Sequence, residues 1–132
     1  MVVYISGQIT GIPNRNRFAF NDAAEKVRFE FPQVHCKIIN PVAVGERVDE
    51  RFAHANMDAR VEDEKKPTWS DYMRECIREL THATHILMLT GWEKSKGATA
   101  EKELSEKLGI KVCYSVDDLI KSYRRAERTG KW

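Results

Sequence analysis

Long apolar runs are missing from this chain. No stretch approaches the ~20 consecutive apolar residues of a membrane-spanning helix, so no membrane partner is expected. Cysteine is scarce as well: Cys36, Cys76 and Cys113 are an odd number with no CxxC spacing, which argues against a disulfide framework and makes a reducing cytosol the expected compartment. Neither sign of charge dominates, with 22 Lys and Arg against 20 Asp and Glu and a formal net charge of +2. That balance supplies no strong field for a nucleic-acid polymer or a membrane surface, and it leaves a small anionic ligand open. Internal repeats and low-complexity tracts are absent. The apolar opening lacks a basic stretch and is cut short by Gly7 and Gln8, so a signal peptide is not expected.

What is present is one core's worth of apolar residues, 42% of 132, and hence one domain. Val2-Val3-Tyr4-Ile5-Ser6 reads as a buried strand ending at Gly7. A Gly, Thr, Pro and Asn-rich loop follows, and Phe20, Ala24, Val27 and Phe31 then recur at helical spacing up to Pro32. Lys37-Ile38-Ile39-Asn40-Pro41 is a second strand, closed by proline. Residues 42–67 turn polar without a clean period and read as a charged insertion or lid, partly helical and with room for a strand. Thr68-Trp69-Ser70-Asp71 is a capping box, and Trp69, Tyr72, Met73, Cys76, Ile77 and Leu80 form the apolar stripe of the helix it opens. Ile86-Leu87-Met88-Leu89 is a central strand. A helix over 98–108 ending at Gly109, a strand over 110–114 and a helix over 116–128 complete the chain. The order predicts an α/β fold, a Rossmann-like (flavodoxin-like) doubly wound parallel sheet of four to five strands.

Ligands of open parallel sheets bind outside the carboxyl ends of the strands, which directs attention to two loops. The first, Ser6-Gly7-Gln8-Ile9-Thr10-Gly11, offers small residues, hydroxyls and amides to a phosphate or sugar; it is neither a P-loop nor a dinucleotide fingerprint, and a plain turn is the competing reading. The second, Gly91-Trp92-Glu93-Lys94-Ser95-Lys96-Gly97-Ala98, leads into the helix carrying Glu101. Glu101 shares a face with Leu104 and Leu108, and a carboxylate on an inward face needs either a site or the amide dipoles of its own helix to explain it.

Three segments, Tyr4 to Pro13, Trp69 to Arg74 and Gly91 to Ala98 with Glu101, resemble a bacterial and phage domain family related to the nucleoside 2-deoxyribosyltransferases. The same superfamily includes 2′-deoxynucleoside 5′-phosphate N-hydrolases. The resemblance spans nearly the whole chain outside 42–67, and Ser95-x-Gly97-x-x-x-Glu101 is its most specific piece. It implies that Glu101 attacks the anomeric carbon of a nucleoside or nucleotide to form a glycosyl ester, resolved by water or a second base. It also implies that Ser6, Gly7, Gln8, Ile9 and Ser95 hold a 5′-phosphate, that no cofactor is needed, and that the chain is a homo-oligomer. With Tyr4, Thr10, Gly11, Trp92 and Gly97, these residues make up the expected substrate site.

One position departs from that pattern. Where relatives carry an aspartate that orients the nucleophile and helps protonate the departing base, this chain has Cys76. A thiol with an ordinary pKa of ~8.5 serves neither role well, and Cys76 also continues an apolar stripe as a small buried hydrophobe would. Glu75 points about 100° away on the helix and Asp71 lies over a turn earlier. A catalytically impaired nucleotide-binding protein is therefore the alternative to an N-glycosidase or transferase. Trp92 is expected to stack on a base or to pack against the lid. His82 and His85 lack partners at zinc-like spacing, so no metal is expected. Arg15 and Arg17 either reach a phosphate or lie in solvent, and Lys121, Arg124, Arg125 and Arg128 complement the carboxyl end of the last helix.

Overall fold

The computed structural model describes residues 1–131. Four strands, β1 (Val2–Ser6), β2 (Lys37–Ile39), β3 (His85–Met88) and β4 (Lys111–Cys113), form one sheet in the order β2-β1-β3-β4 with every pairing parallel. Five α-helices connect and follow them: α1 (Arg17–Glu30), α2 (Pro41–Ala55), α3 (Trp69–Leu80), α4 (Lys96–Leu108) and α5 (Val116–Thr129). This is the single-domain, doubly wound α/β fold expected from the sequence, with four strands.

Strand parity divides the core. Val3, Ile5 and Leu87 point to the face covered by α1 and α5, where they meet Phe20, Ala24, Val27 and Leu119. Tyr4, Ile86 and Met88 point to the opposite face, under Val44 of α2, Cys76 and Leu80 of α3, and Ala98 of α4. Successive strand residues alternate sides, so Ser6 accompanies Tyr4 toward α4.

Segment 42–67 differs from an irregular lid. Most of it is α2, whose start is set by Asn40, its side chain accepting from the Val42 N–H at 3.0 Å, and by Pro41 in the first turn. Val44 and Val48, four residues apart, bury one side of α2 in the core, and charged residues cover the rest. No strand occurs in this segment; a short 3-10 turn at Val61–Asp63 is its other regular piece. α3 begins at the expected capping box, with the Thr68 N–H donating to Asp71 at 2.8 Å and the Asp71 N–H to the Thr68 hydroxyl at 3.3 Å. Gly109 ends α4 at φ 74°, a conformation that favours glycine.

The face of α4 turned inward is Ala98, Glu101 and Ser105, with Leu104 partly buried beside it. Leu108, expected on the same face, is 53% exposed. It is the last helical residue, next to the Gly109 cap.

Candidate functional site

The order β2-β1-β3-β4 reverses direction between β1 and β3, and the loops leaving these strands part there to leave a crevice. A cavity of about 880 Å³ occupies it. Gly7, Gln8, Ile9, Thr10 and Gly11 of the first loop line it, together with Ser95 and Gly97 of the second. Tyr4, Cys76 and Glu101 line it from the buried side. Two close approaches around the cavity depend on the absence of a side chain, Gly7 against Leu89 at the end of the β3 run and Gly97 of α4 against Met73 of α3. A Cβ on Gly7 would stand 3.0 Å from Leu89 Cβ, and one on Gly97 would stand 3.1 Å from the Met73 sulfur.

Glu101 is 5% exposed, and each of its oxygens accepts a hydrogen bond from a hydroxyl: Oε1 from Ser6 at 2.8 Å and Oε2 from the phenol of Tyr4. Both donors come from the β1 face turned toward α4. Burial pushes the Glu101 carboxyl up to about 7, while the two hydroxyls pull it back. Glu101 is therefore partly ionised at neutral pH and held in one orientation. Tyr4 is fully buried and titrates well above its usual range, first through desolvation and then through the adjacent Glu101 charge.

Cys76 shares the Tyr4 apolar cluster and lies within the field of Glu101. Burial, reinforced by that charge, pushes its thiol up to about 12. At neutral pH it is a neutral SH and a weak proton donor. The neighbouring acids do not take its place: Glu75 is paired with Arg51 at 3.0 Å and Arg78 at 3.2 Å, and Asp71 caps α3.

Two expected contacts lie elsewhere. Trp92 packs against Tyr114, ring centroids 6.0 Å apart, under Lys102, and is not among the cavity-lining residues. Ser6 reaches the site through Glu101 and not by lining the cavity. The Ser95 hydroxyl accepts from the Ala98 N–H at 3.1 Å and so caps α4.

The sequence left Arg15 and Arg17 between a phosphate and solvent and did not indicate their partners. Arg15 and Arg17 both line the cavity, and each reaches across to α2, Arg15 to Asp49 at 2.8 Å and Arg17 to Glu46 at 2.5 Å. Arg15 also donates to the Tyr72 phenol at 3.3 Å, and Tyr72 hydrogen-bonds Asp49. Asp49 titrates below its usual value: its bonds to Tyr72 and Arg15 outweigh the desolvation that pushes it up. Arg15 is delivered by Asn14, Arg15 and Asn16, three successive non-glycine residues at φ 54°, 55° and 57°. Left-handed backbone of this kind costs roughly 1–2 kcal/mol per residue, less for asparagine. The N-P start and Val44/Val48 spacing of α2 were the available signal for Asp49, masked by the surrounding charges.

Among the described residues no group of three or more His, Cys, Asp or Glu is arranged to hold a metal ion. His85 is fully buried on the opposite face of the sheet, its ring nitrogens 2.8 Å from Thr84 Oγ1 and 2.9 Å from Ser122 Oγ. No described helix is long and apolar enough to cross a membrane.

The profile of a family described as a domain of unknown function (DUF4406) matches residues 1–114. No curated protein and no solved structure matches the chain.

Proposed function

Since the chain belongs to the DUF4406 family, a domain of unknown function, we propose from its site chemistry that it binds a nucleoside or nucleotide and breaks the N-glycosidic bond, as a hydrolase or deoxyribosyltransferase. Glu101 carries this reading. It is a carboxylate withdrawn from water, each oxygen held by a hydroxyl, at the wall of a cavity of nucleotide size where an open parallel sheet takes its ligands. Of the four cations lining the cavity, Arg15 and Arg17 are paired with Asp49 and Glu46, and Lys94 and Lys96 set against Glu101 give a modest bias toward an anionic ligand.

In the first step an ionised Glu101 oxygen attacks the anomeric carbon, the C–N bond breaks, and its electron pair leaves with the base. Water or a second base then attacks the same carbon, and the ester oxygen departs with its pair and restores the carboxylate. With water as acceptor one molecule is consumed, its hydroxyl ending on the sugar and its proton on the base. Tyr4 and Ser6 orient the nucleophile and stabilise its charge between steps.

A second reading, binding without turnover, is favoured by Cys76, whose neutral thiol cannot assist the departing base as a carboxylic acid does. Chromatography of free base from a panel of nucleosides and 5′-phosphates, set beside calorimetric binding of the same compounds, decides between them. Base release is expected. Binding without release at high protein concentration establishes the second reading, and absence of both overturns the two together. The reading also carries a homo-oligomer, for which Phe18, Phe29 and Val34, 85–88% exposed, offer apolar surface; a monomeric mass by light scattering would remove that part.

A further inference from the structure

The β1–α1 loop is held over the cavity by contacts that oppose its own backbone preference. Three left-handed non-glycine residues in succession, Asn14 to Asn16, occur nowhere else among the described residues. Their visible product is the position of one guanidinium. Arg15 donates to Asp49 of α2 and to Tyr72 of α3 and lies over the Tyr72 ring at 5.2 Å, which ties together three elements that meet around the cavity. The Asn16 amide donates to the Gln8 carbonyl at 2.9 Å and closes the loop on itself, so that residues 8–16 form one unit. The Arg15–Asp49 pair is about half exposed on both sides, and a pair in that setting is weak and screened by salt.

We infer that residues 8–16 are a flap over the cavity, latched shut by Arg15 on Asp49 and Tyr72. Strain in the left-handed turn pushes toward release, and the latch holds against it. An exposed pair of this kind is weak enough to break readily, which poises the flap for opening. A loop tied down for stability alone has no need of a strained anchor aimed at a cavity. Because Gln8, Ile9, Thr10 and Gly11 travel with the latch, opening uncovers the wall that contains Cys76. The inference is independent of what the cavity binds.

The three cysteines supply the test. Cys76 lines the cavity, whereas Cys36 and Cys113 are buried in the core on the other face of the sheet. Alkylation by iodoacetamide at fixed pH, followed for each cysteine by peptide mass spectrometry, therefore reports flap opening at Cys76 and general unfolding at the other two. Arg15→Gln and Asp49→Asn, which break the latch from opposite sides, are each expected to raise the Cys76 rate about fivefold with Cys36 and Cys113 unchanged. Raising salt on the unmodified chain is expected to act in the same direction, and it decides the matter should a variant fail to fold. A Cys76 rate indifferent to latch and salt, or one that rises only in step with Cys36 and Cys113, overturns the flap.

Discussion

Glu101 and His85 are two buried titratable side chains on opposite faces of one sheet, and their likeness is instructive. Each is held by two hydroxyl-bearing partners, Glu101 by Tyr4 and Ser6, His85 by Thr84 and Ser122. Burial drives both toward the neutral form, Glu101 up to about 7 and His85 down to about 4. The difference is place. Glu101 meets the sheet at the carboxyl ends of β1 and β3 and lines the cavity; His85 begins β3 at the amino end and packs under α5, away from the cavity. A perturbed pKa with satisfied hydrogen bonds thus describes a structural residue as well as a site residue, and the opening on a cavity separates them.

The sharpest break of the comparison is paired substitution. On the proposed mechanism Glu101→Gln removes the nucleophile and is expected to reduce base release by at least about 10³-fold. His85→Gln is expected to leave turnover per folded molecule unchanged while lowering stability. Release assays on both, normalised to folded protein, check this; equal losses from the two would remove the distinction.

Cys76→Asp introduces a carboxyl beside Glu101 and, on the proposed function, is expected to raise base release roughly 10²–10⁴-fold, the usual worth of general acid-base assistance. Single-turnover kinetics reads the gain. Loss of fold without gain would make Cys76 core alone.

Stability against pH separates the two groups by sign. Glu101 has a folded pKa raised from 4.5 to about 7, so its stabilising contribution is complete below 4.5 and is lost as pH climbs through 7. His85 has a folded pKa lowered from 6.5 to about 4, so its contribution is complete above 6.5 and is lost as pH falls through 4. Each span amounts to something on the order of 3 kcal/mol. Denaturant unfolding from pH 4 to 8 is expected to show Glu101→Gln gaining on the parent chain as pH rises and His85→Gln gaining as it falls. Base release by the parent chain is expected to increase through about pH 7 as Glu101 ionises, and Ser6→Ala, which removes a donor to the carboxylate, shifts that rise to higher pH.

The smallest effect lies outside both regions. Thr68→Ala removes the capping hydroxyl of α3 and is expected to cost about 1 kcal/mol with no change in pH dependence, measured by thermal unfolding.

Much of this was legible in order along the chain. Apolar runs marked the four strands, Thr68 and Asp71 marked the start of α3, and the loops after β1 and β3 were singled out by the geometry of parallel sheets. α2 was harder to read, because only Val44, Val48 and the N-P start betray it among its charges. Trp92 illustrates the limit from the other side: its loop lines the cavity, yet its ring turns to Tyr114 and Lys102, partners on β4's end and α4 that no local spacing specifies.

The sequence by itself determined the alternation on β1 that sends Tyr4 and Ser6 to one side, the helical phase that turns Glu101 inward, and the βα order that makes the sheet parallel. These depend on periods of two and 3.6 residues, which are local. Tertiary structure alone decided that Tyr4 and Ser6 meet Glu101 across 97 and 95 residues of chain, that Cys76 lies in the field of that carboxylate, and that Arg15 reaches Asp49 and Tyr72. Such contacts exist only once β1 pairs with β3 and the helices choose their faces, because side chains far apart in sequence are brought together by the packing of whole elements and by nothing encoded in their own neighbours.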